Sequence, residues 1–222
     1  MIAEQWERCL HMVFPHRCLG CGSVCQTCLC LQCFSKLSPL TLHPLNLAGV
    51  DQGFFLLAYE GWVKQALHLI KFNRRKYLAR LMGTQLLLSV DLPGDSQTWV
   101  ASVPLHWTKR WWRGFNQTDA LFMPWIKGRG QSLLPLLYRP KRTRALFGLG
   151  QAERQHEIKD AFKVHPRWQT ALKGRSVLLL DDIVTTGATV SEIARLVKAH
   201  GAGSVRVLAV AYTPLKSLPR NS

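Results

Sequence analysis

Residues 177–189 read VLLLDDIVTTGAT: an aliphatic run, two adjacent carboxylates, then a small turn rich in hydroxyls. Two neighbouring carboxylates repel each other, and burying either without a partner is costly. The hydroxyl groups of a sugar would satisfy them. Thr185, Thr186 and Thr189 supply hydroxyls, Gly187 and Ala188 leave backbone N–H groups unobstructed, and the segment leads into the helical pattern VSEIARLVKAHG. A loop that opens a helix offers unpaired N–H groups and the positive end of the helix dipole to an anion. Asp181 and Asp182 as acceptors for ribose hydroxyls, beside a cradle at 185–189 for a 5′-phosphate, suit a sugar phosphate. Either half alone reads as a helix cap or a solvent-facing acid pair. The whole string, in a strand–loop–helix context, carries the meaning.

A second concentration of chemistry lies near the N-terminus. All seven cysteines fall between Cys9 and Cys33, and residues 18–33 read CLGCGSVCQTCLCLQC. This clustering suits metal ligation in a reducing compartment better than a disulfide framework. Three Cys-x-x-Cys pairs are present, and two such knuckles complete a tetrahedral, closed and therefore structural Zn²⁺ site. The outer pairs, Cys18/Cys21 and Cys30/Cys33, are separated by eight residues, enough to fold one knuckle onto the other. Cys25 and Cys28 could replace one outer pair, and the spacing is also close to an iron–sulfur ligand run. Cys9, with no partner at useful spacing, reads as a small buried residue.

The elements that must position these groups alternate. GFFLLAYE reads as a strand, GWVKQALHLIKF and YLARLMGTQLLLSV as helices, and TWVASVPL as a strand. FNQTDALFMPWIKGRG reads as a weak helix with a Pro-Trp interruption; RSVLLLDD, TVSEIARLVKAHG and SVRVLAVAY follow as strand, helix and strand. Such alternation predicts an α/β fold with a parallel sheet covered on both faces. The apolar run of SVLLL fits a central buried strand, with Asp181 and Asp182 at its carboxyl end, where open α/β sheets place ligands. Residues 36–49, with two prolines and little periodicity, read as a linker.

Twenty-nine Lys and Arg against thirteen Asp and Glu give a formal charge of +16, which points to a polyanionic partner. Three basic stretches stand out: KFNRRK at 71–76, KRWWRGFNQ at 109–117 and RPKRTR at 139–144. Lys71, Arg74, Arg75, Lys109 and Arg110 provide cations. Trp111 and Trp112 provide faces on which bases of single-stranded DNA could stack, unless they are core. No apolar run reaches the length of a membrane span, and the first residues lack signal-peptide order, so the cytoplasm is the expected compartment.

The string at 177–189 resembles the signature with which type I phosphoribosyltransferases bind phosphoribosyl pyrophosphate (PRPP): apolar residues, two acids, two spacers, then Thr-Thr-Gly-x-Thr. Together with YEGWVKQALHLIKFNRRKYLARLMG, VPLHWTKRWWRGFNQ and GAGSVRVLAVAY, the chain resembles the ComF family from about Cys18 to Tyr212. This family is also called the GntX or competence-protein-F type. The resemblance implies a zinc module within residues 1–45 on Cys18, Cys21, Cys30 and Cys33. It implies a Rossmann-like type I phosphoribosyltransferase domain over 50–216 and leaves a loose tail at 217–222. It places the ribose of PRPP on Asp181 and Asp182, and its 5′-phosphate on Thr185, Thr186, Gly187, Ala188 and Thr189. A second loop at Pro104, Leu105 and His106, with Arg113, would face pyrophosphate and its Mg²⁺. His106 reads either as a hydrogen-bonded structural residue or as a general base. A transferase neighbour gives an electron carrier no task, which favours zinc over a cluster.

Members of the family are implicated in taking up or using DNA, notably in natural transformation. The resemblance therefore implies a competence or DNA-utilisation protein that binds single-stranded DNA and a PRPP-like ligand, with other DNA-uptake proteins as possible partners. The alternative is a working transferase acting on an unnamed acceptor. The chain departs from the family pattern where Leu146 replaces Gln and Glu157 replaces Asn, while Arg154, Ala161 and Phe162 remain. Those changes remove two amides and add a negative charge, which weighs against turnover.

Overall fold

A computed structural model describes residues 16–37, 39–91, 97–141, 153 and 157–213. The N-terminal part holds β1 (His16–Arg17), β2 (Val24–Cys25) and the short α1 (Leu31–Ser35), with β1 and β2 antiparallel. Next come β3 (His43–Pro44), β4 (Gln52–Ala58), α2 (Gly61–Phe72) and α3 (Lys76–Leu87). They are followed by β5 (Trp99–Ser102), α4 (Trp107–Arg113), α5 (Gln117–Gly128) and β6 (Leu137–Tyr138). The remainder is β7 (Lys163–Val164), a 3₁₀ turn at Pro166–Trp168, β8 (Ser176–Val184), α6 (Ala188–Ala199) and β9 (Ser204–Tyr212).

The central sheet has the order β3-β4-β9-β8-β5, with β4, β9, β8 and β5 parallel and β3 antiparallel at one edge. The apolar run of β8 is central because both its faces are covered. Leu178 and Leu180 pack on the α2, α3 and α5 side with Ile70, Met82 and Leu121. Val177 and Leu179 pack on the other side with Val190, Ile193 and Val197 of α6. Strand side chains alternate between faces, so a run buried on both must be apolar at every position. Replacing the fully buried Leu180 with Ala would cost about 2–5 kcal/mol.

Three local expectations give way. Residues 43–44 pair with β4, and Leu45 N–H donates to Gly53 O at 2.8 Å, so part of the expected linker is an edge strand. The strand expected over 98–105 stops at Ser102, though Val103 N–H still donates to Leu180 O of β8 at 2.9 Å; residues 104–106 then leave the sheet and lead into α4, which the tryptophan-rich sequence did not announce. Pro124 lies inside a continuous α5 rather than interrupting it. Leu121, Phe122, Trp125 and Ile126 are buried there, and that packing outweighs one missing backbone bond. Among the described residues, no helix is long and apolar enough to cross a membrane.

Candidate functional site

The acid pair is held within β8, which continues past both carboxylates to Val184. Neither faces solvent: Asp181 is 8% exposed and Asp182 3%. Alternation along the strand turns Asp182 toward α2, where Lys71 Nζ lies 2.7 Å from Oδ2. The contact is one of charge and distance, because the buried Oδ2 accepts no directed hydrogen bond. Arg113, at the end of α4, is electrostatically coupled to Asp182, and burial lowers its own pKa. Arg139 is coupled to Asp181 and to Glu157, again with burial lowering its pKa. Burial first, and the charge of Asp182 second, raise the Asp181 pKa well above the usual carboxylate range, while Lys71 and the Asp182 N–H oppose the rise. That N–H donates to Asp181 Oδ1 at 2.9 Å.

Residues 185–189 form the turn from β8 into α6. Gly187 has a φ of 78° and begins the helix. A Cβ there would collide with the Leu47 side chain, so a larger residue meets both backbone strain and lost space. A concavity of about 30 Å³ opens over the turn, lined by Asp181 and by Thr185, Thr186, Gly187, Ala188 and Thr189. This joins Asp181 to the hydroxyl half of the motif in one hollow at the carboxyl end of the sheet, while Asp182 faces α2. The first-turn N–H groups of α6 face the same end of the strand, with no acidic residue in that turn.

The segment 103–117 is a self-braced hairpin of loop and helix. His106 caps α4: its Nδ1 accepts from Thr108 N–H at 3.3 Å and lies 2.7 Å from Thr108 Oγ1. Because Nδ1 accepts from a backbone N–H, Nε2 carries the proton and donates to Pro140 O at 3.2 Å. Both ring nitrogens are thereby engaged in structure, and the ring is buried. Asn116 caps α5 through Thr118 N–H at 3.1 Å, and its Nδ2 donates to Val103 O at 3.1 Å. Arg113 Nη1 donates to Gln117 Oε1 at 2.8 Å. Thus the residues of RGFNQ fix the loop that carries the half-buried Pro104 and Leu105 and tie Arg113 to Gln117, within the electrostatic influence of Asp182.

Helix α4 itself contributes no buried residue. Trp111 is 83% exposed, Trp107 69% and Trp112 45%. Lys109 and Arg110 share this helix. The Arg74 guanidinium stands 5.5 Å from the Trp112 ring, and Arg75 is exposed beside it. Lys71 is different from its neighbours in the basic stretch, since its ammonium is directed to Asp182. Sequence reasoning counted Lys71 only among surface cations and missed Arg139 as a neighbour of Asp181. The signals were there, in the helix position of Lys71 and in RPKRTR, but only the fold brings them to the acid pair. Thr143, Arg144, Leu146 and Arg154 lie outside the described residues, as does Cys9.

At the cysteine module, the Sγ atoms of Cys18, Cys21, Cys30 and Cys33 all lie within 4.8 Å of one another. Cys21 and Cys30 Sγ are 3.7 Å apart, close to the edge of about 3.8 Å that follows from four Zn–S bonds of about 2.3 Å. The N–H groups of Gly20 and Cys30 point at Cys18 Sγ at 3.4 and 3.3 Å. Burial opposes ionisation of Cys18, but the N–H groups of Cys30, Cys21 and Gly20 bring its pKa down to about 6. A Cβ on Gly20 would come within 2.9 Å of Cys33 Sγ, so glycine keeps the cradle open. The residues present therefore fit a tetrahedral thiophilic metal ion. Cys25 and Cys28 turn away: Cys25 Sγ donates to Thr27 O at 3.0 Å, and Cys28 Sγ to Gln85 Oε1 at 2.8 Å. Burial pushes the Cys28 thiol up to about 12, as befits a neutral donor.

Residues 150–222 match the phosphoribosyl transferase domain family. DNA utilization protein YhgH of Escherichia coli O6:H1 is 34% identical over 159 residues, and that of Salmonella typhi 35% over 156 residues. The first match spans 66% of this chain and 66% of the relative, just under two thirds of each. Competence protein F of Haemophilus influenzae is 26% identical over 215 residues, covering 91% of this chain and 93% of that protein. The similarity to these relatives, the phosphoribosyl transferase domain over residues 150–222 and the four clustered cysteines together support a ComF-type family for this chain.

Proposed function

We propose that this chain is a competence or DNA-utilisation protein that binds single-stranded DNA on α4 and the end of α2, and a PRPP-like ligand at the acid pair. The observation that carries the reading is α4. A helix with no fully buried residue that exposes Trp107, Trp111 and Trp112 beside Lys109 and Arg110 contributes little to the core. Aromatic faces interleaved with cations suit sequence-tolerant binding of a single strand. The +16 charge supports a polyanion, and the relatives' names support DNA.

In the pocket, Asp181 and Asp182 accept from ribose hydroxyls, while the turn at 185–189 holds the 5′-phosphate through N–H and hydroxyl groups. Arg113 and Arg139 flank the pair on the side of the pyrophosphate, with the loop of Pro104, Leu105 and His106 as its wall. Mg²⁺, arriving with PRPP, neutralises part of the diphosphate charge. Zn²⁺ on Cys18, Cys21, Cys30 and Cys33 is structural, and the cytoplasm is the proposed compartment. Titration calorimetry of the zinc-loaded protein with PRPP and Mg²⁺, beside an Asp181→Ala, Asp182→Ala variant, tests the pocket. Saturable heat lost in the variant is expected; absence of heat in the folded parent removes this ligand.

The two arginines coupled to the acid pair also favour a second reading, turnover, because a departing diphosphate needs cationic partners. A nucleophile on the acceptor would attack the anomeric carbon, and the C–O bond to pyrophosphate would break with its electron pair leaving on oxygen. Pyrophosphate release on addition of candidate acceptors distinguishes turnover from binding.

A further inference from the structure

We propose that the acid pair and the tryptophan helix are one continuous site that recognises the 3′-terminal nucleotide of a single strand. The proposal rests on the strand and pocket reading above and specifies the ligand. Its starting point is a chain of contacts. Arg74 lies 5.5 Å from the Trp112 ring, and the next aromatic, Phe72, is exposed under the Arg113 guanidinium at 5.9 Å. Arg113 is coupled to Asp182, and Lys71, next to Phe72, touches Asp182 at 2.7 Å. Rings and cations therefore alternate from the solvent-facing helix to the buried carboxylates.

The chemistry changes along this path. Exposed rings and guanidinium groups take bases and phosphates of any interior nucleotide. A buried carboxylate pair repels phosphate and accepts from donors; Asp182 Oδ2 has the Lys71 ammonium at 2.7 Å but no well-directed hydrogen bond. An interior deoxynucleotide has no sugar hydroxyl to give, because O3′ is esterified and the 2′ position carries hydrogen. A 3′-terminal sugar has a free 3′-OH. That hydroxyl donates to Asp182, the terminal nucleotide's 5′-phosphate reaches the turn at 185–189 in the hollow shared with Asp181, and the preceding bases run out over Phe72 and Trp112.

Fluorescence anisotropy on three DNAs of one sequence tests this: a linear strand with a 3′-OH, the same strand with a 3′-phosphate, and its covalently closed circle. The 3′-OH strand is expected to bind about tenfold more tightly than the other two, the scale of a hydrogen bond to a charged acceptor. Asp182→Asn should bring the 3′-OH strand to the circle's Kd, and excess PRPP should do the same to the parent protein. Equal affinity for all three DNAs overturns the end-recognition proposal and leaves surface binding intact. Failure to bind any of them overturns the strand reading as well. The comparison of ends needs no variant, so a folding defect in Asp182→Asn does not protect the proposal.

Discussion

Lys71, in the last turn of α2, places its ammonium 2.7 Å from the buried Asp182 carboxylate in β8. The pair joins a helix of the basic surface to the strand that carries the pocket. It compensates a charge that could not otherwise remain in the sheet, and it sets the electrostatic floor of the site beside Arg113.

Removing the cation should expose that dependence. Lys71→Met is expected to lower stability by about 2–3 kcal/mol, less than for a fully buried pair because the Lys71 side chain is 20% exposed. Asp182→Asn in the same background should recover most of the loss. Urea denaturation of the two single variants and the double variant gives the coupling; additive effects would show that the pair does not hold the strand end.

Asp181 gives a pH signature. Its folded pKa is raised, first by burial and then by the charge of Asp182, so the folded state favours the protonated carboxyl. At pH values below the unfolded pKa of about 3.9 both states hold the proton and no penalty arises. As pH rises through the folded pKa, the parent loses stability that Asp181→Asn keeps. The variant should therefore be more stable than the parent at neutral pH, with the difference shrinking on acidification. Denaturant midpoints of both proteins across that range measure it, and a pH-independent difference would contradict the assignment.

The metal module separates two kinds of cysteine. Cys18→Ser should lose bound zinc, read as metal per chain by mass spectrometry of the native protein. Cys28→Ser should retain it, because Cys28 donates to Gln85 instead of joining the four thiols. Gln85 also accepts from Leu29 N–H at 3.0 Å and donates to Leu29 O at 2.7 Å, tying the module to α3. Gln85→Ala is expected to cost about 1–3 kcal/mol and to speed proteolysis near residue 29 while zinc remains bound.

The tryptophans of α4 should matter for binding and not for folding. Trp111→Ala and Trp112→Ala are expected to change stability by less than about 0.5 kcal/mol, since the helix buries no residue. Each should weaken single-stranded DNA binding by about 1–3 kcal/mol if a base stacks on it. Quenching of tryptophan fluorescence by an oligothymidylate reads the binding. A destabilised variant, or unchanged affinity in both, would assign these rings elsewhere.

The sequence by itself determined the alternating α/β order, the apolar central strand, the acid pair followed by its hydroxyl-rich turn, and the outer cysteine pairs. Each is written in a local signal: a period, a continuous apolar run, a spacing of thiols, or a turn leading into a helix. The sequence also carried the tryptophans and cations of 107–113, but without a period long enough to mark a seven-residue helix. Only the tertiary structure decided that β3 pairs at the sheet edge, that α5 runs through Pro124, and that Cys28 faces Gln85 and not the four thiols. It also set Lys71 against Asp182 and brought Arg113 and Arg139 within the electrostatic reach of two carboxylates distant in the chain. Those outcomes depend on which side chains face one another after packing, and charge compensation of a buried acid is settled between elements, where no local pattern records it.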